Sequence, residues 1–355
     1  MNRPSFYWWL PLGVITAAFL SFFLFRSPYL LGPDGYFHIT YAKLLLHHGL
    51  FYAFPWASLS MWSERFSDKD LLYHFLLIPF SQFQDLQFGA KCSALFFAMG
   101  VAFFLWYWMK RENVSQIWFW TFCLFFGSPN FLFRILSPRP HTLGLLFFLL
   151  GIFALIESRW ILLFCVSFFY PWAHSSWLLV VPMSALVAFS QSVQQRMFVW
   201  KPFAIACLGA TLGMVIHPYF PENWHYFYVQ SIHTLYMGIS HSQDLGMAGE
   251  FSSYSLREFF LTNSVPLFFF CYALVGLIRD RSAYRQINLA LVALTTIVMT
   301  ITVRRFIELS MPMMVIFAAL QLSLHKDIDR RKVVFGVLGI LLSFSLQHPW
   351  TNFER

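Results

Sequence analysis

The chain has 355 residues, of which 58% are hydrophobic and only 11% are charged. Soluble domains carry about 25% charged residues, so this composition excludes an ordinary soluble protein and predicts an all-α integral membrane protein. The formal net charge of +8 is typical of basic cytoplasmic loops and gives no support for nucleic-acid binding.

Apolar runs dominate the chain, and a membrane-spanning helix needs roughly 17–25 mostly apolar residues. We predict about eleven transmembrane helices, within a single transmembrane domain covering 1–355. They are Trp8–Phe25, Phe88–Met109, Gln116–Phe133, Leu143–Ile156, Trp160–Tyr170, Ser176–Phe189, Pro202–Ile216, Phe259–Ile278, Ile287–Val303, Ile307–Leu324 and Val333–Leu346. The fifth and sixth could instead form one re-entrant hairpin broken at Pro171, because non-helical backbone is tolerated at membrane depth where protein or a wet cavity covers it.

Positive charge is concentrated in alternate loops. With a cytoplasmic N-terminus, the inner loops hold 13 of the 24 basic residues and 5 of the 16 acidic residues. This positive-inside asymmetry predicts a multi-pass protein with a cytoplasmic N-terminus. Cysteine-poor outer loops and the absence of a sorting signal indicate the cell inner (plasma) membrane, with the endoplasmic reticulum as the alternative. The same topology places every histidine except His325 on the outer side. We therefore expect the active site on the outer face, built from a first outer loop of about 26–87 and a second of about 217–258.

The first outer loop opens with "DGYFHITYAKLLLHHG", residues 34–49. The preceding Pro33 with Asp34 is a helix-start signal and Gly49 is a stop signal, so the stretch predicts an amphipathic helix in the outer membrane interface. Asp34 then has two interpretations. It either caps this helix or serves as a reactive carboxylate at the mouth of the membrane.

A second acidic group, "SDKD" at Ser67–Asp70, precedes "LLYHFLLIPF", which predicts another outer interfacial helix. Ser67 or Asp68 is a suitable helix cap. The functional alternative is that Asp68 or Asp70 binds an acceptor or a metal, with Lys69 and His74 nearby.

Four arginines on the outer side run against the positive-inside trend: Arg134, Arg139, Arg304 and Arg305. An arginine in or beside a span is by default a functional candidate. Glu308 could pair with Arg304 or Arg305 at helical spacing. The alternative partner is phosphate, which suits the guanidinium fork; it applies to Arg304 or Arg305, and to Arg139 together with His141.

Two further segments are weaker signals. The aromatic stretch from His217 to His233 is typical of the interfacial belt of Trp and Tyr, with an acceptor-facing or lipid-facing wall as the alternative. "GATLG" at Gly209–Gly213 indicates close packing between helices. No H-x-x-x-H pair occurs to supply two metal ligands from one helical face, and the five cysteines all fall in apolar segments.

Three stretches, "DGYFHITYAKLLLHHG", "RILSPRPHTLGLLFFLLGIFAL" and "TVRRFIELSMP", resemble the GT-C superfamily of polytopic membrane glycosyltransferases, which includes oligosaccharyltransferase and mannosyltransferase types. The resemblance implies that Asp34 is a general base, or a ligand of a divalent metal such as Mg or Mn. This chain has Gly35 where a second acid would stand beside Asp34. Metal dependence therefore stays open, and the cofactor is unknown.

The leading hypothesis is an inverting glycosyltransferase that moves a hexosyl or pentosyl group from a polyprenyl-phosphate donor in the bilayer to a glycan, lipid or protein acceptor in the cell envelope. Asp34 would take the proton. His38, Asp68 and Asp70 would form the acceptor or metal side, and Arg304, Arg305, Arg139 and His141 would bind the donor phosphate. The alternatives are a transporter or flippase of an anionic lipid-linked substrate, or a non-catalytic membrane subunit. The sequence does not specify the sugar, acceptor, carrier length, oligomeric state or organism type.

Overall fold

The computed structural model describes residues 9–233, 236–237, 240, 249–279, 284–324 and 334–339, and these residues form helices and no strands. The α-helices are α1 (Trp9–Arg26), α2 (Asp34–His48), α3 (Leu71–Leu77), α4 (Leu86–Arg111), α5 (Ile117–Phe126), α6 (Pro129–Leu136), α7 (His141–Ile156), α8 (Trp160–Ala173), α9 (Val180–Gln195), α10 (Lys201–Val215), α11 (Glu222–Phe227), α12 (Leu256–Thr262), α13 (Ser264–Arg279), α14 (Tyr284–Thr302) and α15 (Ile307–Leu324). Short 3-10 turns include Ser175–Leu179 and Arg304–Phe306, and a π-helical turn covers Tyr228–His233. The predicted all-α class is confirmed.

Among the described residues, five helices are long and apolar enough to cross a membrane, some of them taken with an adjoining 3-10 turn: Trp9–Arg26, Leu86–Arg111, Ser175–Gln195, Tyr284–Thr302 and Arg304–Leu324. The number is up to seven if each of two bent helix pairs is one span. The eleven predicted spans are therefore not confirmed, because α7, α8 and α10 have only 16, 14 and 15 residues. Most of Val333–Leu346 lies outside the described residues. The chain is a multi-pass helical membrane protein.

Two predicted spans are broken by sharp bends, which corrects the sequence-based assignment. Helices α5 and α6 meet at 88°, and α12 and α13 meet at 92°. At the first bend, the Ser128 hydroxyl caps α6 by accepting from the Phe131 N–H at 3.3 Å, and Pro129 occupies the first helical turn, where proline is favoured. After the bend, α6 packs against α4, α7 and α15.

The close contact predicted for the "GATLG" segment is confirmed between α10 and α8. A Cβ atom on Gly209 would lie 2.8 Å from the Phe164 carbonyl oxygen, and one on Gly213 would lie 2.1 Å from that of Phe168. Helix α8 runs through Pro171 and ends at Ala173. The break between α8 and α9 therefore lies at His174 and not at the proline.

Helix α15 forms the centre of the bundle and packs against α4, α5, α6, α7, α13 and α14. Of the apolar window of Arg304–Leu324, 89% is buried inside the protein. Because this helix is enclosed, the charged residues at its N-terminal end, Arg305 and Glu308, must find partners within the protein or a bound ligand.

The first outer loop folds into α2, α3 and short 3-10 turns that pack on α4 and α8. The buried face of α2 includes His38, Tyr41 and Leu45, which recur at helical spacing. Gly49 ends the helix with φ of +73°, a value that favours glycine. The predicted helix and its stop are confirmed, and its position in the membrane interface stays a prediction.

Candidate functional site

A cavity of about 320 Å³ lies where the first outer loop meets the bundle. Helix α2 and the turn before α3 form one side. The other side is formed by the turns joining α6 to α7 and α8 to α9, by residues around α11, and by the start of α15. The lining side chains are Asp34, Phe37, His38, Trp62, Phe66, Ser67, Asp68, Lys69, Asp70, His74, Arg134, Arg139, Pro140, His141, His174, Tyr226, Gln230 and Arg305.

Most of the candidate residues named from the sequence therefore share one cavity. It brings together Asp34, His38, Asp68, Asp70, Arg139, His141 and Arg305 from four distant parts of the chain. Arg304 does not line it. Sequence reasoning did not single out Trp62 or His174, and it mentioned His74 and Arg134 without assigning them a role.

Pro33 occupies the cap position of α2 and Asp34 is the first residue of the helix, so Asp34 is not the cap residue. Its carboxylate forms an ion pair with Arg139. The same guanidinium also approaches Glu250, with Nη1 at 3.5 Å from Oε2. Asp34 thus lies at the half-exposed mouth of the cavity with its charge balanced by an arginine.

Gly35 follows Asp34 in α2, at the point where this helix packs against the α6–α7 turn. A Cβ atom here would lie 2.4 Å from Cγ of Pro138 and 3.1 Å from Cδ1 of Leu30. Contacts this short require the neighbours to move. The packing therefore explains why no second acid stands beside Asp34.

Asp68 and Asp70 are both buried, at 3% and 2% exposure. Oδ1 of Asp68 accepts from the Asp70 N–H at 3.0 Å, so Asp68 stabilises the turn before α3. Asp70 occupies the cap position of α3 without a capping hydrogen bond. Its Oδ1 has no hydrogen-bond partner, while Lys69 Nζ lies 3.6 Å from Oδ2. Burial raises the pKa of the Asp70 carboxyl.

A row of hydrogen bonds connects three buried side chains of the first outer loop. Asp68 Oδ2 lies 2.7 Å from His74 Nδ1, and His74 Nε2 lies 2.8 Å from His38 Nδ1. Burial, followed by the charges of His74, Lys69 and Arg139, lowers the pKa of His38 well below its usual value. His38 is therefore a neutral imidazole at pH 7.

Arg134 is held by two carboxylates. Glu308 Oε2 lies 2.9 Å from Nε and 2.8 Å from Nη2, and Glu250 Oε2 lies 2.8 Å from Nη1. Burial alone would raise the pKa of Glu250, but the charges of Arg134, Arg305 and Arg139 outweigh it and lower that pKa. The predicted pairing of Glu308 with Arg304 or Arg305 is thus replaced by a hydrogen-bonded pair with Arg134.

Arg304 and Arg305 have different surroundings although they are adjacent. Arg304 forms a two-pronged pair with Glu258, at 2.5 and 2.7 Å, and its guanidinium lies over the Tyr254 ring. Arg305 lines the cavity and lies over the Phe251 ring at 5.0 Å. Among the described residues, no carboxylate is within ion-pair distance of Arg305. Of the two, Arg305 is the one available to an anion in the cavity.

The two remaining cavity histidines, His141 and His174, offer different groups to a ligand: an acceptor nitrogen in one ring and an N–H donor in the other. His141 Nε2 donates to the Arg134 carbonyl oxygen at 2.7 Å, so its neutral ring offers only the Nδ1 acceptor. His174 Nδ1 accepts from the Ser176 N–H at 3.1 Å, which places its proton on Nε2. His174 is therefore a better donor to an anion than His141.

Aromatic rings form the wall next to the acidic side of the cavity. Trp62 lies 5.6 Å from Tyr226 and 6.4 Å from Phe37 between ring centroids. Of the stretch from His217 to His233, Tyr226 and Gln230 line the cavity. This supports the wall interpretation for part of that segment.

Within the part of the chain that the structure describes, no three His, Cys, Asp or Glu side chains are arranged to hold a metal ion. Asp34 is paired with Arg139, and Asp68 is engaged by His74 and the backbone. These carboxylates do not fit a metal site in the arrangement seen here.

No family model matches the chain, and no curated protein matches it significantly. Among solved structures, it is similar to the crystal structure of the Archaeoglobus fulgidus oligosaccharyltransferase in the apo form, with a TM-score of 0.66 and 12% sequence identity. The match covers 98% of this chain and 56% of that chain, so this chain spans a little over half the length of the archaeal protein. At this identity the likeness concerns the fold, and the GT-C-like fold expected from the three sequence stretches is confirmed.

Proposed function

We propose that the protein is a membrane glycosyltransferase. It takes a sugar from a polyprenyl-phosphate donor and passes it, with inversion, to an acceptor at the outer face of the inner membrane. The observation that carries this proposal is the composition of the cavity. Basic side chains line one side, among them Arg305, which has no carboxylate partner within the described residues, and buried carboxylates, histidines and aromatic rings line the other.

The basic side supplies the donor site. Arg305 and Arg139 bind the phosphate of the lipid carrier, because a guanidinium fork suits phosphate oxygens. His174 adds an Nε2–H donor. Arg304 is occupied by Glu258 and is left out of this site. The carrier's tail stays in the bilayer while its phosphate reaches the N-terminal end of α15.

The acidic side supplies the acceptor site. Trp62 and Tyr226 present apolar ring faces to sugar or lipid, and His38 and Asp70 line the cavity beside them. Transfer breaks the bond between C1 and the phosphate oxygen as the acceptor oxygen bonds to the opposite side of C1. The resemblance to the superfamily implies that Asp34 accepts the acceptor's proton, which requires Arg139 to turn from Asp34 toward the phosphate.

Transfer of radiolabelled sugar from a panel of polyprenyl-phosphate sugars tests the proposal. The assay compares the purified wild-type protein with Asp34→Asn, with and without chelator. We expect transfer to fall in the variant while carrier binding persists, and chelator sensitivity decides the question of the metal. Asp85→Asn is a matched control, because Asp85 caps α4 and does not line the cavity.

If no donor supports transfer, and wild type and Asp34→Asn bind the carrier equally, the proposed enzymatic function is contradicted. That result would favour a transporter or flippase of a lipid-linked anion. Absence of both transfer and carrier binding would favour a non-catalytic membrane subunit.

A further inference from the structure

We infer that His38 accepts the acceptor's proton, and that His74 and Asp68 form a hydrogen-bonded relay that determines which His38 nitrogen is free and stabilises the protonated ring. The inference rests on the proposed function and assigns the proton to a group other than Asp34. It is carried by the uninterrupted row of hydrogen bonds from Asp68 through His74 to His38.

The hydrogen bonds define which ring nitrogen holds each proton. A carboxylate only accepts, so the proton between Asp68 and His74 sits on His74 Nδ1. With one proton on each ring, His74 accepts at Nε2 and His38 donates from Nδ1. The other nitrogen of His38, Nε2, is left with a free lone pair and has no hydrogen-bond partner among the described residues.

His38 is better placed as a base than Asp34 in this arrangement. The two residues are four apart on α2 and lie on the same face of the helix, and both line the cavity. The Asp34 carboxylate is engaged by Arg139, whereas His38 Nε2 has no hydrogen-bond partner in the described part of the chain. In the relay, Asp34 holds Arg139 at the cavity mouth.

The proposed step is balanced without a further reactant. The acceptor O–H bond breaks, its oxygen bonds to C1 of the sugar, and the electron pair of the broken C1–O bond leaves on the donor phosphate. The proton goes to His38 Nε2. The imidazolium so formed keeps its Nδ1–H hydrogen bond to His74 Nε2, and the His74 Nδ1–H donates to the Asp68 carboxylate.

The relay has a physical advantage over a single histidine at this place. A buried imidazolium is costly, and Lys69 and Arg139 add positive charge around His38. The Asp68 carboxylate, connected to His38 through His74, offsets part of this cost while the proton is on His38.

The variant Asp68→Asn tests the relay, because the orientation of the asparagine side-chain amide is fixed by the backbone. Its oxygen must take the place of Oδ1, which accepts from the Asp70 N–H at 3.0 Å. The NH₂ group then faces His74 Nδ1 and donates to it. His74 becomes protonated at Nε2, His38 accepts at Nδ1, and the His38 proton moves to Nε2. The variant thus removes the lone pair that the acceptor needs.

Two measurements follow on the full-length protein in nanodiscs: the ¹⁵N shifts of the histidine rings, and kcat for sugar transfer. We expect wild-type His38 and His74 to be protonated at Nδ1, and both rings to switch to Nε2 in Asp68→Asn. We expect kcat to fall roughly 10²- to 10⁴-fold, the usual range for general acid–base catalysis, with donor binding unchanged. His48→Gln, an exposed residue on the same helix, is the control and should keep the wild-type kcat.

His38→Gln is the second variant, because it leaves the pair of Asp68 and His74 intact and should lower kcat to a similar degree. A wild-type His38 protonated at Nε2 would overturn the relay whatever the activity. Near-normal kcat in both variants, with Asp34→Asn inactive, would also overturn it and leave the proposed function standing. A wild-type protein inactive with every donor would overturn both proposals.

Discussion

Arg134 in α6 and Glu308 in α15 form a buried ion pair between residues 174 positions apart in the chain. Glu250, from the predicted second outer loop, pairs with the same guanidinium. The pair therefore joins α6 to the central helix α15 beside the cavity that Arg134 lines.

Removing one partner of this pair should destabilise the fold. Glu308→Leu leaves Arg134 with Glu250 alone, and breaking a buried pair typically costs about 3–5 kcal/mol. We expect a loss of about 3 kcal/mol, and partial recovery in the double variant Arg134→Met with Glu308→Leu. Unfolding in mixed micelles measures both.

The pair of Arg304 and Glu258 is the matched control, since its side chains are 34% and 35% exposed. Exposed pairs contribute at most about 1 kcal/mol, so Glu258→Gln should change stability little. Equal losses for Glu258→Gln and Glu308→Leu would contradict the assigned difference in burial.

Arg305 should determine donor affinity, and Arg304 should not. Arg305→Gln removes a charge-assisted bond to phosphate, which is worth about 1.5–3 kcal/mol. We therefore expect KM for the lipid-phosphate donor to rise roughly 10- to 150-fold in steady-state transfer assays. Arg304→Gln should leave this KM within about threefold of wild type, and a similar rise in both variants would argue against a phosphate site at Arg305.

The sequence predicted the helix starting at Asp34 because the signals involved, a proline start, an apolar face and a glycine stop, are local. Local signals did not predict the partners of Arg305 and Glu308. Helical spacing predicts their pairing, but the 3-10 turn Arg304–Phe306 precedes α15 and changes that spacing. The partner of Glu308 comes instead from α6, through a bend that composition alone does not reveal.

The residues of the relay illustrate the same limit. His38 and Asp68 were named from the sequence as neighbours on the acceptor side, and the cavity contains both. His74, the residue that connects them, follows Asp68 by six positions across a helix start. No periodic pattern marks that distance, and the connection depends on how α3 packs against α2.

Asp70 should make stability depend on pH. Its folded-state pKa is raised from 3.8, so the folded protein holds this proton more tightly than the unfolded chain. The resulting stabilisation is present below about pH 4 and is lost as pH rises through the folded-state pKa. We expect Asp70→Asn to melt higher than wild type at pH 7.5 in detergent, and the difference to shrink toward pH 4. Asp85→Asn should show no such trend, and a constant difference for Asp70→Asn would refute the assignment.

Gly35→Ala should destabilise the protein although alanine normally favours a helix over glycine by about 1 kcal/mol. The added Cβ would lie 2.4 Å from Pro138 Cγ, and overpacking of this kind costs about 1–3 kcal/mol. The clash outweighs the helix preference and pushes α2 away from the turn that carries Arg139, so transfer activity should fall with stability. Gly100→Ala in α4 is the control, because its Cβ would meet only Leu146 at 3.8 Å and should be neutral or stabilising. Thermal unfolding of both variants in the same detergent decides the matter, and a stabilised Gly35→Ala would show that α2 is not held against Pro138.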